Sequence, residues 1–455
     1  MKKNESVINM TKGAVLPLLV RFMIPIMLTN LLQTFYGMVD SAVVGNFNGP
    51  NALGAIGATS SLTNLILALF IGISTGAGII VAQRIGAEDD RGVNLAVHTS
   101  FAFALAGGVF LMIFGGIFSG KILRLMSTPE EIYPLANIYM TIYFMGAVPS
   151  LVYNFGAGIL RAVGDSKRPL YYLACATVVN ITFNLIFVIV FDLGVAGVAI
   201  STVMSQTVSA FLVVRQLVKS EDCIKLNIRE IKFHKRMFIN ILKIGVPSGI
   251  QSSVFSFSNT IIQSTINSFG SAAVSGCAAS AQIESFQYMI MKSISLASTT
   301  FISQNYGAGK FKRCSEGMKK SFVLITAVGL VLGAFMMTFR FELLKIFTAD
   351  AVSLNYGSQR IVIFAATYFL CGIMEILSGT ICGYGDAFSP MLITLIGVTG
   401  SRMLWIFAVL PFRRAISTVY MAFPVSWSIT IIALSIRYIM YRKHLKVRRE
   451  KAFSE

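Results

Sequence analysis

Charge is scarce in this chain. Asp, Glu, Lys and Arg make up 13% of its 455 residues, against roughly a quarter in an average soluble domain, so a water-facing surface cannot be assembled from them. Histidine occurs three times, as His98, His234 and His444. They are too dispersed for an HExxH site, and no paired-carboxylate arrangement stands in for one, so the pattern offers nothing to a membrane enzyme. Gly115 to Lys121 fits Gly-x-x-x-x-Gly-Lys, but Ile122 follows where Ser or Thr is needed and the stretch closes an apolar segment. ATP-driven transport therefore has no support. The six cysteines form no CxxC pair, and most lie in apolar segments, where a free thiol packs as a small hydrophobe. Neither disulfides nor a metal site is implied.

Apolar residues fill the space that charge leaves, at 55% of the chain. Runs such as Leu65–Val81, Phe101–Phe118, Leu170–Phe191 and Phe322–Phe339 are long enough to cross a hydrocarbon core of about 30 Å. The pattern predicts helices near 14–44, 51–83, 93–119, 132–160, 169–191, 195–217, 238–268, 272–305, 314–339, 352–382, 388–410 and 416–441. The first apolar segment is too long for a signal-peptide core and has no small-residue cleavage site after it, so it reads as the first membrane helix. The expected fold is an all-α polytopic membrane protein of about 12 transmembrane helices.

The net charge of +18 would suit nucleic acid if it formed a patch, so its distribution decides. With the N-terminus inside, most of the 38 Lys and Arg fall on cytoplasmic connections and tails, while Lys121, Arg124, Arg340, Lys345, Arg413 and Arg414 fall outside. The basic excess is thus a topology signal and no nucleic-acid partner is expected. The densest cluster, Arg215 to Lys243, suits a cytoplasmic linker between two halves.

Sliding the chain against itself by 221 positions aligns Gln83-Arg-Ile-Gly86-Ala87 with Gln304-Asn-Tyr-Gly307-Ala308, and Gly164-Asp165 with Gly385-Asp386. The same shift pairs Pro169 with Pro390 and Ser205 with Ser426. Repeated matches at one offset indicate duplication of a six-helix unit. Because six is even, the copies are parallel repeats forming two pseudo-symmetric six-helix bundles. The expected segments are an N-terminal tail at 1–13, an N-lobe at 14–218, a linker at 219–236, a C-lobe at 237–441 and a basic tail at 442–455. Pro25 and Pro247 take corresponding places in the opening helix of each half, where proline permits helix bending or simply eases packing.

Ionisable groups inside the membrane are costly, about 2.5–3.5 kcal/mol on insertion scales, and mark cavities or partners. In the first half the candidates are Asp40, with Asn180 and Asn184 one turn apart on a predicted helix, and Thr202. An oxygen-rich set with one carboxylate suits a proton carrier or a hard monovalent cation. A carboxylate reaching headgroup water, with asparagines acting as packing glue, remains the alternative. In the second half the candidates for a cavity or gate are Glu284, Lys292, Glu375 and Arg402, with a buried charge network as the alternative. Glu284 and Lys292 lie about 80° apart around one helix and need not pair.

The text around Asp40, Met38-Val-Asp40-Ser-Ala-Val-Val-Gly45, resembles the first-helix signature of the multidrug and toxic compound extrusion family. Leu160-Arg-Ala-Val-Gly-Asp-Ser-Lys-Arg-Pro169, Gly194-Val-Ala-Gly-Val-Ala-Ile-Ser-Thr202, Gln304-Asn-Tyr-Gly-Ala-Gly-Lys310 and Arg402-Met-Leu-Trp405 resemble later segments in the expected order. The resemblance implies two six-helix lobes and export of cationic or amphipathic small molecules by alternating access. It implies Na⁺ or H⁺ as the coupling ion, no other cofactor, and a monomer in a bacterial inner membrane with both termini cytoplasmic. It also implies that Asp40 is the titrating or cation-binding carboxylate, with Asn180, Asn184 and Thr202 around it, and Asp40, Asn180 and Asn184 as the one place for Na⁺. Four positions depart from the pattern. Relatives often carry Asp where this chain has Asn184. Phe255 and Cys371 stand where some branches have acidic residues, with Glu375 one turn on. Lys292 replaces an expected neutral polar residue. A flippase for a lipid-linked sugar would share the two-lobe build; it needs a strongly cationic lumen, whereas Arg21, Lys292, Arg360 and Arg402 are scattered over four helices.

Overall fold

The computed structural model describes residues 7–126 and 128–452; residues 1–6 and 453–455 of the two expected tails lie outside them. In lipid every backbone N–H and C=O needs a partner within its own segment, which leaves apolar runs of this length no option but helix. The chain accordingly forms α1 (Val15–Phe47), α2 (Gly49–Gly86), α3 (Asp90–Leu125), α4 (Tyr133–Met145), α5 (Ala147–Ala162), α6 (Lys167–Leu185) and α7 (Gly194–Val218). After the linker come α8 (Lys235–Asn267), α9 (Ser271–Gly307), α10 (Phe311–Thr338), a short α11 (Arg340–Lys345), α12 (Ala351–Gly383), α13 (Phe388–Thr394), α14 (Ser401–Ala408) and α15 (Ile416–Ala452).

Two of the expected single spans are interrupted. The fourth, read as 132–160, is bent by 49° between α4 and α5. Pro149 sits in the first turn of α5; its ring has no N–H to offer the Met145 carbonyl and crowds it, which ends α4 there. The eleventh is α13 and α14 joined by a π-helical turn, Leu395–Gly400, and a second π turn, Ile186–Val190, extends α6.

Among the described residues, nine helical segments, counting α13 and α14 with the π turn between them as one and α6 with its π turn as another, and the bent pair α4–α5 are long and apolar enough to cross a bilayer. The helices α8 and α9, at 33 and 37 residues, have the length but not the apolarity. The polar side chains of α9, Ser280, Glu284, Gln287, Ser295 and Ser298 among them, are buried inside the protein. A membrane helix this polar is stable only where it is shielded from the acyl chains.

The duplication is visible in the turns. Gly164 and Gly385, aligned by the 221-residue shift, both take positive φ, at 94° and 98°. The aspartate after each caps the following helix: Asp165 accepts from the Arg168 N–H at 3.1 Å, and Asp386 from the Ser389 N–H at 3.0 Å. Only a residue without Cβ takes this conformation without strain.

The chain divides into two compact units. Unit 1 comprises Met1–Gly13, Val20–Gly249 and Gly307–Gly309, and unit 2 comprises Ala14–Leu19, Ile250–Tyr306 and Lys310–Glu455. Within unit 1, α2 and the start of α8 cross backbone to backbone. A Cβ on Gly76 would lie 2.6 Å from the Gly245 nitrogen, and one on Gly72 2.3 Å from the Gly249 Cα. Only small residues permit such an approach. Gly76→Val should therefore cost about 3 kcal/mol through overpacking and lower the yield of monodisperse protein on size exclusion. Gly57→Val, whose Cβ meets nothing within 4 Å, is the control; equal yields of the two variants would refute the close crossing.

Candidate functional site

Unit 1 brings its four sequence candidates together. Asp40, on α1, is only 6% exposed. Its carboxylate accepts hydrogen bonds from the Asn184 side-chain amide and from the Thr202 hydroxyl, the latter at 3.3 Å. The one-turn spacing of Asn180 and Asn184 on α6 puts both amides on one face, and Asn184 Nδ2 also donates to Asn180 Oδ1 at 3.2 Å. Both asparagines are fully buried. No Lys or Arg lies within ion-pair distance of Asp40 among the described residues, so the carboxylate is held by neutral groups alone. The apolar wall beside it is a cluster of Val43, Val44, Ala52, Tyr139, Val195 and Val198.

Three further side chains join this set without having been read as site candidates in the sequence, where Ser205 was noted only as the repeat partner of Ser426. Ser201 hydrogen-bonds the Asn184 amide oxygen and also the Val198 carbonyl at 2.9 Å. Tyr36, one turn before Asp40, places its hydroxyl 2.6 Å from Ser205 Oγ, which itself donates to the Thr202 carbonyl at 2.9 Å. Position relative to Asp40 and Thr202 was the available signal, since Tyr36 lies at i−4 and Ser201 at i−1.

Unit 2 sorts its charges differently. Glu284 on α9 takes a bidentate ion pair from Arg360 on α12, with both N–O distances 2.8 Å. Lys292, two turns along α9, pairs with Glu375 of α12 at 2.8 Å. Glu284 and Lys292 are thus not partners, in line with their angular separation. Arg402 belongs to neither pair. It is 2% exposed, donates to Ser426 and Ser258 hydroxyls at 3.1 Å and to Asn259 Oδ1 at 3.0 Å, and lies 4.1 Å from the Phe423 ring centroid. Arg360 lies over the same ring at 5.8 Å. The basic residues read as scattered are therefore partly gathered: Arg360 and Arg402 converge on Phe423, and only one of them has a carboxylate. Pro25 and Pro247 lie inside α1 and α8, which continue past them.

Comparison with known proteins now bears on this arrangement. A family model described as MatE matches the chain twice, over residues 25–186 and 247–407. This chain is a member of the MatE family. The two matched stretches begin 222 residues apart and end 221 apart, the offset that the internal alignment found. A MatE relative from Bacillus subtilis (strain 168), the probable multidrug resistance protein YpnP, is 31% identical over 389 residues, 85% of this chain and 87% of its own. Another from the same organism, the probable multidrug resistance protein YoeA, is 28% identical and covers 91% of each chain. Among solved structures, one described as the outward-facing conformation of a multidrug resistance MATE family transporter of the MOP superfamily superposes with a TM-score of 0.89. It is 22% identical and covers 99% of this chain and 100% of its own. The multi-pass, two-bundle helical fold of this MatE chain follows.

Proposed function

We propose that this chain is a secondary active exporter of cationic or amphipathic small molecules, driven by inward movement of Na⁺ or H⁺. The observation that carries the reading is Asp40: a carboxylate enclosed in a membrane-spanning helix, 6% exposed, with hydrogen-bond donors around it and no basic partner among the described residues. An ionised group there is costly unless a cation neutralises it. The site therefore has two natural states, loaded with a proton or small cation and emptied to the anion, and alternation between them can be tied to movement of a second cation.

The Ser201 hydroxyl has one proton and two acceptors, the Asn184 amide oxygen and the Val198 carbonyl. While it serves Asn184, the amide presents Nδ2 to Asp40, which suits the empty carboxylate. When its proton turns to Val198, the amide can rotate, giving Nδ2 to Ser201 Oγ and Oδ1 to the carboxylate. That arrangement suits a protonated Asp40 or a bound Na⁺, with Asn180, Asn184 and Thr202 as the oxygen donors. Alternating access between the two lobes, with Pro25 and Pro247 as paired bending points, would carry the switch across a bacterial inner membrane, and the Lys and Arg distribution favours cytoplasmic termini. Multidrug resistance in the names of YpnP and YoeA supports the substrate class.

The test is efflux of ethidium from proteoliposomes under separately imposed Na⁺ and H⁺ gradients. A tenfold gradient of an ion exchanged one for one supports up to about a tenfold substrate gradient. One of the two ions should drive accumulation towards that limit; equilibration under both would rule out ion-coupled export.

A further inference from the structure

Unit 2 contains a counterpart of the Asp40 site with its charge reversed. The 221-residue shift relates Ser426 to Ser205, places Arg402 opposite Ile181, beside Asn180, and places Asn259 opposite Met38, two residues from Asp40. The same three spans of each repeat thus build both clusters: α1, α6 and α7 in the first, α8, α14 and α15 in the second. In unit 1 an anion is ringed by N–H and O–H donors. In unit 2 a cation is ringed by oxygen acceptors, Ser258, Asn259 and Ser426.

This guanidinium is incompletely answered. Glu284 and Glu375, the two acidic side chains buried in unit 2's membrane helices, are committed to Arg360 and Lys292. The hydrogen bonds of Arg402 use Nε and Nη1; Nη2, with two N–H groups, takes none of them among the described residues. The Ser426 hydroxyl gives its own proton to the Phe423 carbonyl at 2.7 Å, so it meets Arg402 as an acceptor. The Phe423 ring supplies an apolar wall on the guanidinium face at 4.1 Å. A buried cation with neutral partners and an unused donor edge matches a planar oxyanion on an apolar body, since a carboxylate accepts two parallel N–H bonds from a guanidinium.

We propose that Arg402, with Ser258, Asn259 and Ser426, forms an anion site that takes the carboxylate of a transported molecule. The identity of that molecule as cargo rests on the export reading; binding of a carboxylate at Arg402 does not. The chain's two tryptophans, Trp405 and Trp427, flank the site. Trp405 lies one turn from Arg402 and donates to the Thr418 carbonyl at 2.8 Å, and Trp427 packs edge-on against Phe423 at 5.9 Å, so tryptophan emission reports on this region.

The experiment titrates the purified full chain in detergent with benzoate, and separately with inorganic phosphate, while reading tryptophan emission. Benzoate is expected to give a saturable change in the wild type, and Arg402→Gln to raise the half-saturating concentration at least about tenfold, the usual loss when a charged hydrogen-bond partner is removed. No saturable change in the wild type overturns the site, as does phosphate binding equally well. In proteoliposomes, tetramethylrhodamine and its methyl ester differ in one carboxylate. Arg402→Gln should cut export of the free acid at least about tenfold and leave the ester within a factor of about two, which also shows that the variant is folded. Equal effects on both dyes would reduce Arg402 to a tie between helices. Failure of the wild type to export either dye, with benzoate binding intact, would count against the export reading and not against the anion site.

Discussion

Asp40→Asn is expected to abolish gradient-driven efflux while leaving the amount of protein in the membrane close to wild type. Asparagine keeps the shape of the side chain and an oxygen for Asn184 or Thr202 to donate to, so packing within the Val43–Val198 cluster is preserved. No partner charge is stranded, because none is paired with Asp40 among the described residues; the substitution removes a buried charge rather than orphaning one. What disappears is the group that can exist in two charge states. Under a tenfold ion gradient, the steady-state substrate ratio should fall from about ten towards one, measured as ethidium retained in proteoliposomes of matched protein content. Efflux equal to wild type would remove Asp40 from coupling.

The parts of this architecture that the sequence made legible are those governed by local periodicity. Apolar runs located the spans, and a fixed 221-residue offset exposed the duplication, because the Gly-Asp turns need a particular backbone and cap wherever they recur. Asn180 and Asn184 could be placed on one face by spacing alone. Their meeting with Asp40 and Thr202 depends on how α1, α6 and α7 pack, which no local pattern encodes; the family resemblance supplied it. The π turns at Ile186–Val190 and Leu395–Gly400 left no sequence mark that periodicity could detect, since a single i→i+5 turn does not alter the run of apolar residues. The break at Gly146 did leave one, in Pro149, and reading the segment as a single span missed it. In unit 2 the candidates had no legible partners: helix geometry left Glu284 and Lys292 free not to pair, but only the fold shows that α12 supplies both counter-charges, Arg360 and Glu375.

Those two ion pairs predict different costs of disruption. Arg360 is buried, held by Glu284 through both Nε and Nη2 at 2.8 Å, donates through Nη1 to Cys277 Sγ, and lies over the rings of Phe364, Tyr420 and Phe423. Glu284→Gln removes the carboxylate and leaves that guanidinium uncompensated next to Arg402, which shares Phe423 with it. Stranding a buried charge costs about 3–5 kcal/mol, a drop of about 3–5 °C in thermal midpoint for a chain of this size. Adding Arg360→Met should restore most of the loss, because the stranded charge goes with it. Glu375→Gln should cost less, since the Lys292 side chain is 46% exposed and is not enclosed as the Arg360 guanidinium is. The measurement is thermal unfolding of detergent-solubilised protein by loss of the monodisperse peak. A Glu284→Gln midpoint within a degree or so of wild type, or a double variant less stable than the single, would mean that Arg360 finds another anion.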